Sequence, residues 1–297
     1  MISAFCDQNR IAYEKNLPLS TCTTFRIGGP ADLAVMPGSV DELRKVLLYL
    51  KERKLRYFVL GRGSDILAAD EGFRGVILLT KKLNSLFCNG NRIYAGAGCS
   101  MASVSNLALQ NSLAGLEFLH GIPGSIGGGV FMNAGAYGSE LATYLESVEW
   151  MDENGNLHSS DPRDLSFSYR HSYFSDHFGI VTGVVLHCEK GDASLVKETM
   201  NDLDSRRREK QPLEYPSAGS AFKRPEGYFA GKLIEDCGLK GFCCGGACIS
   251  EKHAGFIVNK GGATAKDVKD LISHVSDTVF DRFSVRLEPE IRFLEEK

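Results

Sequence analysis

Apolar residues recur at helical spacing over residues 39–54, where Val40, Leu43, Val46, Leu47 and Leu50 share one face. Ser39, followed three residues on by Glu42, marks the start of that helix as a capping box. The same period predicts a helix over 100–111, with Met101, Val104, Leu107 and Ala108 inward. A third runs over 192–211, with Leu195, Val196, Thr199, Met200 and Leu203 inward and a stop at Pro212, and a fourth over 264–280. Residues 139–145 read as a short helix. Strands are predicted at 57–60, 75–80, 92–97, 180–188, 255–259 and 285–294, the last confined to an edge or a strand start by Pro289. Residues 148–151 and 156–159 flank Asp152-Glu153-Asn154-Gly155, a hairpin signal. Strands and helices do not alternate regularly, so the pattern is mixed α and β rather than a doubly wound sheet.

At 297 residues the chain has room for two or three domains. A hydrophobic share of 43% with 24% charged residues is that of a globular protein with a core. The net charge of −3 argues against general nucleic-acid binding, and the basic run 206–210 reads as a solvated helix end. Residues 1–15 carry Asp7, Arg10, Glu14 and Lys15 and no apolar stretch, and no run reaches the length of a membrane span. A cytoplasmic protein without membrane partners is expected. Nine cysteines, an odd number spread along the chain, fit reduced, buried thiols better than a disulfide framework. Cys237, Cys243, Cys244 and Cys248 cluster without the paired knuckles of a zinc site, so no metal is expected.

Glycine carries the candidate chemistry. Residues 115–138, GLEFLHGIPGSIGGGVFMNAGAYG, let backbone amides approach a ligand and form concave anion sites, for which a pyrophosphate is the natural guest. Interspersed apolar residues make this a rigid loop rather than a linker. A second group, TCTTFRIGGPAD at 21–32, ends in a tight turn beside Arg26. In a third, the strand at 57–60 leads into Gly61-Arg62-Gly63-Ser64-Asp65-Ile66-Leu67. Neither the dinucleotide fingerprint nor a phosphate-binding GxxxxGK[ST] loop is present. A further Gly/Ser stretch spans 216–225.

TTFRIGGPAD, LGRGSDIL, GIPGSIGGGVFMNAGAYG, FSYRHS, PSAGSAFKRP, AGKLIE and LEPEIRF, in this order, closely resemble the UDP-N-acetylenolpyruvoylglucosamine reductase family, in its shorter, second type. The resemblance covers about residues 18–294. It implies an α+β fold of the vanillyl-alcohol oxidase and p-cresol methylhydroxylase type. Two FAD-binding subdomains, 1–80 and 81–190, would precede a substrate-binding domain, 191–297, whose last strand packs back on the FAD-binding part.

Noncovalent FAD would be held by Arg26, Ile27, Gly28 and Gly29, and by Gly61, Arg62, Gly63, Ser64 and Asp65. The central loop would add Gly121, Ile122, Pro123, Gly124, Ser125, Gly127, Gly128, Asn133, Ala134, Gly135 and Ala136, and Tyr169 would shape the pocket. Asp65 departs from the asparagine usual after Gly-Ser, and a carboxylate there would repel a diphosphate unless turned away. His120 is expected to make an ordinary hydrogen bond and no flavin link.

The implied reaction takes a hydride from NADPH through flavin N5 to the enolpyruvyl ether of UDP-N-acetylenolpyruvoylglucosamine, making UDP-N-acetylmuramate for peptidoglycan. Arg170 would hold the carboxylate as enolate charge builds, Ser220 would give the proton, and Glu290, kept protonated, would donate to the enolate. Lys223, Arg224 and Lys232 are candidates for the UDP phosphates by charge and position. A monomer is expected. Rival readings are a flavin-dependent oxidase of the same fold using oxygen and a flavin or nucleotide-sugar binding module without turnover; both are disfavoured by the joint presence of Arg170, Ser220 and Glu290.

Overall fold

The computed structural model describes residues 2–295. They form two compact units, each discontinuous in sequence. One comprises Met1–Lys15, Leu33–Arg62 and Gly75–Arg206; the other comprises Asn16–Asp32, Gly63–Arg74 and Arg207–Lys297. This division differs from three successive stretches at 1–80, 81–190 and 191–297. Among the described residues, no helix is long and apolar enough to cross a membrane.

In the first unit, helix Val40–Glu52 buries Leu43, Val46, Leu47 and Leu50 in a core that also takes Leu33, Val35, Val76 and Leu78. Ser39 caps it by accepting from Glu42 N at 3.2 Å, while the Glu42 carboxylate accepts from Gly38 N at 2.7 Å. A four-stranded sheet runs in the order Ala12–Pro18, Pro30–Met36, Phe73–Leu79, Tyr57–Leu60, the last two strands parallel. A five-stranded antiparallel sheet runs in the order Leu157–Ser160, Leu145–Met151, Ile180–His187, Arg92–Gly96, Leu86–Asn89. The Asp152–Gly155 turn joins its first two strands, as the sequence predicts.

Helix Met101–Gln110 is capped by Ser100, and helix Ala193–Lys210 buries Val196 and Met200. Leu195, expected inward on that helix, is 62% exposed, because it lies one residue off the stripe formed by Val196, Met200 and Leu203. Residues 139–145 are not the expected helix. Gly135–Ala136 and Ser139–Glu140 pair across a turn in which Tyr137 and Gly138 both have positive φ, the geometry of a two-residue hairpin turn, and a single 3-10 turn, Leu141–Tyr144, follows.

In the second unit, an antiparallel sheet is ordered Ser217–Ser220, Phe256–Asn259, Ala247–Ile249, Cys243–Cys244. Helix Ala265–Phe283 covers one face and buries Val268, Leu271, Ile272, Val275 and Val279. Thr264 and Asp267 form a full capping box at its start, and Ser284 ends it in the left-handed region. The same core takes Phe25, Ile27 and Leu67 from the N-terminal segments.

The expected strand at 285–294 shortens to Arg292–Leu294, which runs parallel to Ile66–Ala68; ahead of it only an isolated bridge joins Pro289 to Phe222. Proline has no N–H to extend the ladder through 289. The expectation of reduced thiols throughout is also corrected. The hairpin register sets Cys243 opposite Cys248, and the two form a disulfide.

Candidate active site

The glycine-rich stretch 115–138 is more ordered than a loop. Residues Ile126–Met132 form a helix, with Ser125 as N-cap accepting from Gly128 N at 3.4 Å. The Ser125 hydroxyl is thus engaged in the protein, and the residue is 2% exposed. Gly61 packs directly on Ser125, leaving no room for a Cβ. Gly61 and the stretch 121–136 are therefore neighbours in the first unit, with Arg62, Pro123 and Gly128 exposed beside them.

Arg170 sits in the same unit at the tip of a tight turn. Ser168 and His171 exchange backbone hydrogen bonds of 3.1 and 3.2 Å, and Arg170 has φ 55°. Its guanidinium donates to the Gly135 carbonyl at 3.3 Å and stands 5.1 Å from the centroid of the Tyr169 ring, itself 52% exposed. The central loop thereby meets the arginine expected to bind a carboxylate.

The second unit joins the other two loops. Thr24 N donates to Gly63 O at 3.1 Å, and Gly29 N to Ala69 O at 2.9 Å. A Cβ on Gly29 would overlap the Asp70 carbonyl and lie 2.7 Å from Gly72 N, so only glycine lets the two segments pass. Arg26 is exposed on this surface with φ 56°. Asp65 is half-buried and lies within electrostatic reach of Arg292, whose N–H donates to the Asp65 carbonyl at 3.0 Å. A cation beside Asp65 offsets the charge that set this residue apart.

Ser220 and Glu290 meet in this unit too. Ser220 ends a strand opposite Phe256, and the next residue, Ala221, accepts from Glu290 N at 2.9 Å. Lys223 N donates to Glu288 O at 2.8 Å, continuing the pairing. Both Ser220 and Glu290 are half-exposed. Of the phosphate candidates, Lys223 bridges Glu288 at 2.5 Å and Lys232 bridges Asp236 at 2.6 Å. Arg224 lies 4.0 Å from the Phe229 ring centroid and donates to the Tyr228 carbonyl at 3.3 Å. Exposed pairs such as these are screened by solvent and add little stability, so breaking them costs little.

Residues not expected from the sequence tie this surface down. Thr24 Oγ1 donates to Ser217 O at 2.7 Å, and buried Asn259 donates to Phe25 O at 3.2 Å, fastening the 23–29 turn to the sheet that carries Ser220. The Asp70 carboxylate accepts from Ala265 N at 2.7 Å and Lys266 N at 3.1 Å at the start of helix Ala265–Phe283. Partners some 190 to 230 residues apart leave no local signal.

Each unit carries a glycine-rich surface with an exposed arginine, Arg62 in the first and Arg26 in the second, and glycine amides beside a guanidinium suit the diphosphate of a flavin dinucleotide. Two family profiles match the chain, "FAD binding domain" over residues 31–161 and "UDP-N-acetylenolpyruvoylglucosamine reductase, C-terminal domain" over residues 211–294. The UDP-N-acetylenolpyruvoylglucosamine reductase of Caldanaerobacter subterraneus subsp. tengcongensis is 47% identical over 282 residues, 95% of this chain and 93% of that one. The protein of the same name from Clostridium perfringens is 49% identical over 277 residues, 93% of this chain and 91% of that one. The crystal structure of the UDP-N-acetylenolpyruvylglucosamine reductase from Thermus caldophilus superposes with a TM-score of 0.82 at 36% identity, covering 96% of this chain and 99% of that one. Near-complete coverage at this identity carries both the α+β flavin-binding fold and the cofactor, FAD. The chain belongs to the UDP-N-acetylenolpyruvoylglucosamine reductase family of FAD-dependent oxidoreductases.

Proposed function

We propose that this protein reduces the enolpyruvyl ether of UDP-N-acetylenolpyruvoylglucosamine to UDP-N-acetylmuramate with NADPH, as a cytoplasmic monomer. The observation that carries the reading is the backbone pairing of Ala221 with Glu290, which brings the segment of Ser220 alongside the segment that carries a carboxyl group. FAD, when bound, supplies hydride transfer from NADPH to the ether's methylene carbon.

The chain's own residues then have to manage charge and one proton. Hydride addition leaves carbanion character beside the substrate carboxylate, delocalised as an enolate. Arg170 holds that carboxylate and gains interaction energy as charge grows, because a guanidinium binds a carboxylate through two parallel hydrogen bonds. Ser220 delivers its proton to the enolate carbon. A serine hydroxyl is a weak acid, so its contribution lies in enforced position, which its place at the strand end gives it. Glu290, when protonated, donates a hydrogen bond to the enolate oxygen. Residues 26–29, 61–65, 121–125, Gly127, Gly128, residues 134–136 and Tyr169 hold the flavin, and Lys223, Arg224 and Lys232 exchange their present partners for the substrate's phosphates.

The test is anaerobic. The bound flavin is reduced with one equivalent of NADPH, the enolpyruvyl substrate is added, and reoxidation is followed at the visible flavin band. Wild type should reoxidise promptly, Ser220→Ala about 10²–10⁴-fold more slowly, and Arg170→Met about 10²–10³-fold more slowly. A flavin that stays reduced until oxygen is admitted would make the protein an oxidase and end this reading.

A further inference from the structure

Asn133 ends helix Ile126–Met132 in the left-handed region, at φ 43° and ψ 61°, a conformation asparagine adopts more readily than other residues with a side chain. It is 1% exposed, so its side chain is spent on the protein. The amide nitrogen donates to the Ser168 carbonyl at 3.1 Å, and the amide oxygen accepts from Ala142 N at 3.1 Å. One partner is an acceptor and the other a donor, which fixes the orientation of the amide.

Ser168 opens the turn whose tip carries Arg170. The far side of that turn is held as well: Ser172, fully buried, donates its hydroxyl to the Phe131 carbonyl at 2.8 Å. Phe131 and Asn133 lie two residues apart at the end of one helix, so that helix end grips the turn at both of its stems. Between the grips Arg170 keeps a positive φ, a backbone state that a residue with a long side chain holds only when its surroundings enforce it.

We propose that Asn133 is a positioning residue for Arg170, acting through the Ser168 carbonyl, and that its side chain makes no contact with the flavin. Replacing the amide nitrogen by oxygen would leave the Ser168 carbonyl facing a second acceptor and release that stem of the turn. The guanidinium would then be misplaced where the substrate carboxylate binds, and small displacements of a catalytic group are costly. This rests on the assignment of Arg170 to the carboxylate, and the test separates the two.

Three variants of the holoenzyme, Asn133→Asp, Asn133→Gly and Ser172→Ala, would be compared with Arg170→Met by stopped flow. The first keeps the size and the acceptor, the second keeps the left-handed backbone, and the third loosens the other stem. Reoxidation by substrate should slow about ten- to hundredfold in the Asn133 variants, with flavin reduction by NADPH within twofold of wild type. Amide hydrogen exchange in the apoprotein gives a readout independent of turnover, and protection at Ser168 and His171 should fall in the same variants.

Variants that reoxidise and exchange like wild type overturn the proposal. So does an equal loss in both half-reactions together with weaker FAD binding, which would return Asn133 to the flavin site. If Arg170→Met itself reoxidises normally, it is the assignment of Arg170 that fails, and the positioning role of Asn133 falls with it.

Discussion

Single residues on these surfaces carry more than one task, and His253 shows how chemistry and stability share a side chain. Burial pulls its imidazole below the usual histidine range, with Lys240 adding to the effect and its own backbone and Glu235 opposing it. Its Nδ1 accepts from Gly255 N at 3.1 Å, a bond that needs the neutral ring, and Gly255 O in turn accepts from Ala221 N beside Ser220. A group whose folded pKa is depressed binds fewer protons folded than unfolded between the two values, so its contribution to stability, full above about pH 6.5, is lost as pH falls from there through the folded pKa. Wild type should therefore lose more thermal stability between pH 7.5 and pH 5.5 than His253→Gln does. Scanning calorimetry at the two values measures this, and equal losses in the two proteins would show that His253 is not a source of the pH dependence.

Elements show where sequence suffices and where it stops. Helix Val40–Glu52 and the hairpin around Asp152–Gly155 are legible because cap, turn and apolar stripe all lie within a few residues of one another. Helix Ala265–Phe283 is legible for the same reason, through Thr264 and Asp267, yet half of its N-terminal satisfaction is invisible, since Asp70 reaches it from 195 residues away. Asp70→Ala should lower unfolding free energy by about 1 kcal/mol, the usual worth of a helix cap at a solvent-exposed position. Urea denaturation reads the change, and an unchanged midpoint would mean that the Thr264 box alone satisfies the helix. The proposed active-site residues follow the same division. Arg170, Ser220 and Glu290 are legible through motifs, whereas the roles of Thr24, Asn259 and the clamp by Asn133 arise from backbone carbonyls that any sequence supplies. A carbonyl has no letter in the sequence, so its partner cannot be read there.

At the scale of the molecule, the C-terminal region is not self-sufficient. Its core takes Phe25, Ile27 and Leu67, all 2% exposed or less, from segments that lie more than a hundred residues upstream. Strand Arg292–Leu294 has its parallel partner, Ile66–Ala68, in the same upstream part of the chain, and Ser217, Asn259 and Ala265 each bond to residues there. Burying a large apolar side chain is worth about 1.5–3 kcal/mol, so removing three of them takes away several kcal/mol. A domain this small has only about 5–15 kcal/mol to lose. A fragment of residues 207–297 should therefore form helix Ala265–Phe283 without a fixed core: helical by far-ultraviolet circular dichroism, poorly dispersed by proton NMR, and unfolding in urea without a sharp transition. Supplying residues 16–74 on the same polypeptide through a flexible linker should restore cooperativity. A sharp transition in the fragment alone would instead make the C-terminal region an independent domain, and the upstream glycine loops would then be guests on it rather than part of its core.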